Sequence, residues 1–201
     1  MFDDTYKTLA ANSKGLYTEK GSRFIGLAFS VQNEEEVKQQ LADIRKSYHD
    51  ARHHCYAYIL GAEKTAYRIN DDGEPSGTAG RPIYGQLLSY DLTNVLIVVV
   101  RYFGGIKLGV PGLINAYKIA AKEAIEANTM IEKTIDETYR VLFDFPEMNA
   151  VMKVLKNDFI KICNQSYLEK YMTTFTIRRK EADKFLSSLK KIPNVKIEFI
   201  K

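Results

Sequence analysis

The sequence predicts an α+β chain built of two units, and three observations carry that reading. Residues 137–201 spell strand, helix, strand, strand, helix, strand, the βαββαβ plan of ferredoxin-like domains. Residues 94–102 form an apolar run without alternation, the pattern of a strand buried on both faces. Charge also divides unevenly: residues 1–136 hold 16 Lys and Arg against 17 Asp and Glu, whereas residues 137–201 hold 13 against 8. The expected division is an N-terminal domain over residues 1–133 and a C-terminal domain over residues 134–201.

Residues 16–32 mix β-branched and aromatic side chains and read as strand, with Gly21-Ser22 as a turn or bulge and Phe24, Leu27, Phe29 and Val31 as core. Asn33 then caps a helix whose first turn is Glu34, Glu35 and Glu36, where the helix dipole favours anions. Val37, Leu41 and Ile44 follow at amphipathic spacing, and the helix ends near Tyr48. His54 to Leu60 is a strand paired with Thr65 to Ile69 across residues 61–64. A short helix runs from Pro82 to Tyr90, where the missing proline N–H costs nothing at a helix start. After the apolar strand, a helix runs from Pro111 to Ala127 with Leu113, Tyr117, Ala120 and Ala124 on one face, and its alanines suit close packing on a sheet. A strand from Thr134 to Phe145 leads into the second unit. There a helix opened by Pro146 (146–157), strands at 159–167 and 171–179, a helix at 181–191 and a strand at 194–200 complete the plan.

Hydrophobic residues make up 45% and charged residues 27%, which predicts an ordinary packed core. The longest apolar run, Val95 to Val100, is far short of a membrane span of about 20 residues. Met1-Phe2-Asp3-Asp4 has neither a basic n-region nor an apolar h-region, so no secretory signal is expected. Cys55 and Cys163 stand far apart in no metal-like spacing and read as reduced thiols of a cytoplasmic chain.

Two loops concentrate the polar chemistry. Asp71-Asp72-Gly73-Glu74-Pro75-Ser76-Gly77-Thr78-Ala79-Gly80 packs three carboxylates, three glycines and two hydroxyls into ten residues. Arg101-Tyr102-Phe103-Gly104-Gly105-Ile106-Lys107-Leu108-Gly109 sets a glycine pair between two cations. A glycine loop between strand and helix can turn backbone N–H groups toward an anion, so Arg81, Arg101, Gly104, Gly105, Lys107 and Gly109 are candidate anion or ligand-binding residues. The same glycines can instead supply positive φ for a tight turn. The loop fits neither nucleotide-binding glycine pattern.

Asp71, Asp72, Glu74, Ser76, Thr78 and His53 form the second candidate set. The three carboxylates are close enough to share a hard cation. Alternatively they accept backbone N–H bonds or pair with Arg81 or Arg101, with Ser76 or Thr78 capping the helix that follows. Calcium-loop spacing is absent, and neither a metal nor a cofactor is expected. His53 and His54 point to opposite faces of a strand, whereas His53 and Cys55 share one and could form a nucleophile pair oriented by Asp72. Inside an aromatic strand, Cys55 reads first as a small core residue and only second as a nucleophile. Gly-x-Ser-x-Gly, His-Glu-x-x-His and paired CxxC patterns are absent. In the C-terminal unit, Arg178, Arg179, Lys180, Lys190 and Lys191 form a candidate basic surface, with Tyr167, Tyr171 and Phe175 in the middle strands.

Ser22-Arg23-Phe24-Ile25, His54-Cys55-Tyr56-Ala57-Tyr58, residues 71–82 and residues 101–109 together resemble the YigZ/IMPACT family, over residues 15 to 127. The remainder resembles the smaller C-terminal domain of bacterial members. The resemblance implies an N-terminal α/β domain similar to the second domain of a small-subunit ribosomal protein, followed by a ferredoxin-like domain. It also implies translation regulation, since eukaryotic relatives compete for a partner that activates a stress kinase. The family usually continues with Thr-Gly-Gly-Leu and an arginine before Ala-Tyr. Val110, Pro111 and Asn115 depart from it here, replacing one hydroxyl, one glycine and one positive charge.

The expected function is a non-enzymatic, translation-associated protein binding RNA, the ribosome or a translation-related protein, with no membrane. The alternative is a small-molecule hydrolase or phosphoryl-handling enzyme that uses the Asp71–Gly80 and Arg101–Gly109 loops, with Asp72, Glu74, His53 and Lys107 around one cleft. The enzyme reading requires that the two loops meet; were they apart, only the basic C-terminal unit would remain as a candidate contact.

Overall fold

The computed structural model describes residues 4–201; Met1 to Asp3, part of the segment read for a signal, lie outside the described residues. Its backbone divides into two compact units, Tyr6–Lys133 and Thr134–Lys201, the latter joined by Asp4 and Thr5.

The first unit is built on a five-stranded antiparallel sheet. Its strands are β2 (Ser13–Glu19), β3 (Ser22–Ser30), β4 (His53–Leu60), β5 (Ala66–Asn70) and β6 (Val95–Tyr102), in the order β2-β3-β6-β4-β5. β6 sits at the centre, and Val95 to Val100 are completely buried on both faces, as the unbroken apolar run requires. Strand side chains alternate. Val95, Ile97 and Val99 therefore join Phe24, Cys55 and Ala57 on one face, under α2 (Gly80–Ser89) and α3 (Gly109–Glu126). Leu96, Val98 and Val100 join Ile25, Tyr56 and Tyr58 on the other, against Val37 and Ile44 of α1 (Glu34–Ser47). Asn33 caps α1, its Oδ1 accepting from Glu36 N at 2.9 Å.

The second unit carries β8 (Asp136–Phe143), α4 (Met148–Leu155), β9 (Ile160–Tyr167), β10 (Tyr171–Arg178), α5 (Arg179–Leu189) and β11 (Lys196–Phe199). The strands run antiparallel in the order β11-β8-β10-β9, and the element order is the expected βαββαβ. Pro146 opens a short 3₁₀ turn, Phe145–Glu147, ahead of α4. Val141, Phe143, Phe175 and Ile177 face Val151, Leu155, Phe185 and Leu189 of the two helices. An α+β chain of two units is thus what the molecule is.

Two elements depart from the expected order. The single strand expected from Thr134 to Phe145 is two: β7 (Met130–Thr134) ends before β8, and β7 pairs with β1 (Thr5–Leu9) in a separate two-stranded sheet. β7 is exposed at four of its five positions, so no alternation marks it in the sequence. No described helix is long and apolar enough to cross a membrane.

Candidate functional site

Each carboxylate of the acidic decapeptide has its own partners. Asp71 Oδ2 accepts from Gly77 N at 2.9 Å, and its Oδ1 accepts from Ala79 N at 3.1 Å and Gly80 N at 2.8 Å. It thereby satisfies the N–H groups that open α2, the role expected of Ser76 or Thr78. Correcting that expectation, the α2 N-terminus has no cap from the side chain next to it. Thr78 Oγ1 donates to Pro75 O at 2.7 Å, and Ser76 is exposed. Asp72 Oδ2 accepts from His54 N at 2.7 Å while Oδ1 accepts from Arg45 at 3.3 Å. Its φ of +42° puts it in the left-handed region, which aspartate tolerates better than most residues. The three carboxylates therefore do not converge on one cation, and the described residues contain no cluster of three or more His, Cys, Asp or Glu fit to hold a metal.

Replacing Asp71 with alanine leaves three backbone N–H groups without their acceptor. We expect a loss of about 2 kcal/mol, from the cost of unpaired buried donors and of a lost cap. A urea titration that gives a loss of unfolding free energy below about a tenth of that value would contradict the capping role.

Glu74 lies at the centre of a buried chain. Its Oε1 accepts from Arg101 NH1 at 2.5 Å and from Tyr117 OH at 2.8 Å. Cys55 Sγ lies 3.0 Å from Asp71 O and 3.3 Å from the Tyr117 hydroxyl oxygen, two acceptors for its one S–H proton. Arg101 and Glu74 are 6% and 9% exposed. Burial pushes the Cys55 thiol and the Tyr117 hydroxyl well above their ordinary ranges. Cys55 is thus a completely buried core residue with a protonated sulfur, not a partner for His53 in nucleophilic chemistry.

His53 faces a different way. Its Nδ1 lies 2.8 Å from Asp72 O. A carbonyl oxygen only accepts, so Nδ1 carries the proton and Nε2 is left toward Glu74, 3.9 Å from Oε1. His53 also lines a cleft of about 460 Å³, whose walls include Arg52, Glu74, Arg101, Phe103 and Lys107. Pro75 from the decapeptide and Leu108, Gly109, Val110 and Leu113 from the glycine loop and α3 complete it. The two loops do meet.

The glycines do separate jobs. Gly104 does not have a positive φ; a Cβ there would lie 1.9 Å from Gly21 C, and its N–H donates to Ser22 Oγ at 3.1 Å. It is glycine because the turn before β3 packs directly on it. Gly105 and Gly109 have φ of +90° and +72°, the conformation glycine alone adopts freely. The first turn of α3 carries no side-chain cap. Arg81, exposed on α2, and Asp72 are not among the residues lining the cleft, nor is Asn115, which is exposed on α3; Val110 is in its wall.

In the second unit the expected basic surface is partly neutralised. Arg178 forms a two-pronged pair with Asp4, Nε to Oδ2 at 2.6 Å and NH2 to Oδ1 at 2.8 Å, which holds the Asp4 carboxyl below the usual carboxylate range. Arg179 Nε donates to Glu137 at 2.9 Å. Lys180, Lys190 and Lys191 are exposed but stand at opposite ends of α5, about 15 Å apart along its axis. Phe175 is core, while Tyr167 is exposed.

Sequence reasoning missed Arg52 and Phe103 as cleft walls and Tyr117 as the residue that holds Glu74. A signal for Tyr117 existed: a tyrosine on an alanine-rich buried helix face needs a partner for its hydroxyl.

Comparison with known proteins bears on the family and the fold. The model of the Impact N-terminal domain matches residues 20–125. The chain is 35% identical over 150 residues to IMPACT family member YigZ of Escherichia coli (strain K12), covering 74% of each chain. It is 32% identical over 196 residues to IMPACT family member YvyE of Bacillus subtilis (strain 168), covering 98% of this chain and 90% of that one. A crystal structure described as that of a hypothetical protein superposes with a TM-score of 0.78 at 28% identity, over 100% of this chain and 99% of the other. With its N-terminal unit matched by the family model and relatives aligned across most of its length, the chain belongs to the IMPACT family.

Proposed function

We propose that the chain is a translation-associated regulatory protein of the cytoplasm that acts by binding, and that it contacts RNA, a ribosomal surface or a translation-related protein. Family membership carries this reading, because the family resemblance implies translation regulation in its eukaryotic branch. The excess of Lys and Arg over residues 137–201 supports contact with a polyanion. Cosedimentation with ribosomes and titration of a structured RNA at several salt concentrations test it. The expected result is binding at low salt that weakens steadily as salt rises, since each neutralised phosphate releases counterions. Undetectable binding to both at low salt removes the RNA and ribosome versions and leaves a protein partner.

A second reading, a hydrolase or phosphoryl-handling enzyme, is favoured by the meeting of His53, Glu74, Arg101 and Lys107 around one cleft. It requires His53 as the base, because Glu74 is engaged by Arg101 and Tyr117. Turnover of a phosphate ester by the purified chain would favour it over binding alone.

A further inference from the structure

The charges around the cleft do not balance. Arg52, Arg101 and Lys107 face one carboxylate, Glu74, and that carboxylate is already held by a guanidinium and a phenol hydroxyl. Counting Arg52, Arg101 and Lys107 against Glu74 alone, the walls carry two positive charges in excess. Arg101 adds a second imbalance. Its Nε is buried and has no hydrogen-bond partner among the described residues. A buried charged donor left without an acceptor is costly, and the guanidinium that carries it is part of the cleft wall. Lys107 rides on the exposed glycine loop, and the uncapped first turn of α3 brings partial positive charge to the same end.

The remaining wall is apolar. Phe103 is half exposed, and the Arg101 guanidinium lies 5.7 Å from the centre of its ring. Leu108, Val110 and Leu113 continue this wall. An exposed aromatic face suits stacking of a nucleobase. A cleft of about 460 Å³ is within the range that holds one small ligand.

We propose that this cleft binds a phosphomonoester carried on a nucleoside, with the phosphate at Arg101, Lys107 and Arg52 and the base against Phe103. The site goes beyond the partner contacts proposed above and stands whether or not they hold. The same chemistry is offered by a free nucleoside monophosphate and by the 5′-phosphorylated end of an RNA.

Calorimetric titration of the full chain with AMP, adenosine and a short RNA bearing either a 5′-phosphate or a 5′-hydroxyl tests it. AMP or the phosphorylated RNA is expected to bind at least about tenfold more tightly than its unphosphorylated counterpart, the size of one to two charge-assisted hydrogen bonds. The double variant R52A/K107A is expected to lose about tenfold or more in that affinity with an unchanged melting temperature, since both side chains are exposed. Phe103→Ala is expected to weaken AMP severalfold. Preference for AMP over the phosphorylated RNA identifies a free nucleotide as the ligand, and the reverse identifies an RNA end. Equal affinity for phosphorylated and unphosphorylated probes, absence of binding by both phosphorylated probes, or full affinity in R52A/K107A overturns the proposal. Ribosome cosedimentation of the same double variant reports separately on the translation reading.

Discussion

Glu74→Ala is expected to destabilise the first unit by about 3–5 kcal/mol, the usual cost of removing one partner from a buried ion pair. The carboxylate is the acceptor for both Arg101 NH1 and Tyr117 OH. Without it, a guanidinium that is 6% exposed keeps its charge with no counter-ion, since arginine cannot deprotonate at accessible pH. Phe24 closes the inner side, packing 5.4 Å from the guanidinium and 5.2 Å from the Tyr117 ring, so water from the cleft replaces the carboxylate only in part. The loss should appear as a lower urea midpoint and as faster hydrogen exchange at β4 and β6 amides, the strands that carry His53 and Arg101. The double variant Glu74→Leu with Arg101→Met should recover most of it, because well-packed apolar replacements of a buried pair are often neutral. A single variant as stable as the parent, or a double variant worse than the single, would show that the pair is not what holds this corner. The double variant would also remove the buried cation from the cleft, so its stability and its phosphate affinity should move in opposite directions.

What was legible in the sequence follows the range of the physics involved. Asn33 with three glutamates after it is a local signal, and it caps α1 as read. The βαββαβ order was legible because β8, β10 and α5 bury one face each and leave the period visible. β1 and β7 were not, since they are held by backbone pairing with little side-chain burial on β7. In the loops, residue types were informative and their partners were not. Asp71 acts as a cap across six to nine residues, a distance set by how the decapeptide curls. Gly104 is needed for an approach to Gly21 and Ser22, more than eighty residues earlier. Arg52 and Phe103 join the cleft only because β4 and β6 are neighbours in register, His53 opposite Arg101. Once that register is known, the meeting of the two loops follows, since β5 and β6 both run antiparallel to β4 and the loops after them leave the same end of the sheet.

Gly26→Ala is expected to cost about 3 kcal/mol or more, at the upper end of what overpacking does, although it adds a single methyl group. That Cβ would stand 2.1 Å from Ala120 O and 2.9 Å from Ala120 C, both backbone atoms of α3. Neither side can yield cheaply. β3 is paired on both edges, with β2 and with β6, and α3 is bound by its own hydrogen-bond ladder. Directly opposite Gly26 on β2 is Gly15, whose own Cβ would meet Ala124 N at 2.5 Å. The two glycines form a shallow seat that lets the alanine face of α3 lie on the sheet. α3 also delivers Tyr117 to Glu74 and Leu113 to the cleft. Lifting the helix should therefore loosen the buried chain and lower phosphate affinity along with the melting temperature. Gly85→Ala is the matched control. Gly85 is inside α2, with no atom within 4 Å of an added Cβ and no positive φ, so alanine there should be neutral or stabilising by up to about 1 kcal/mol. Equal effects at the two positions would mean that the seat of α3 on β2 and β3 does not limit the stability of this unit.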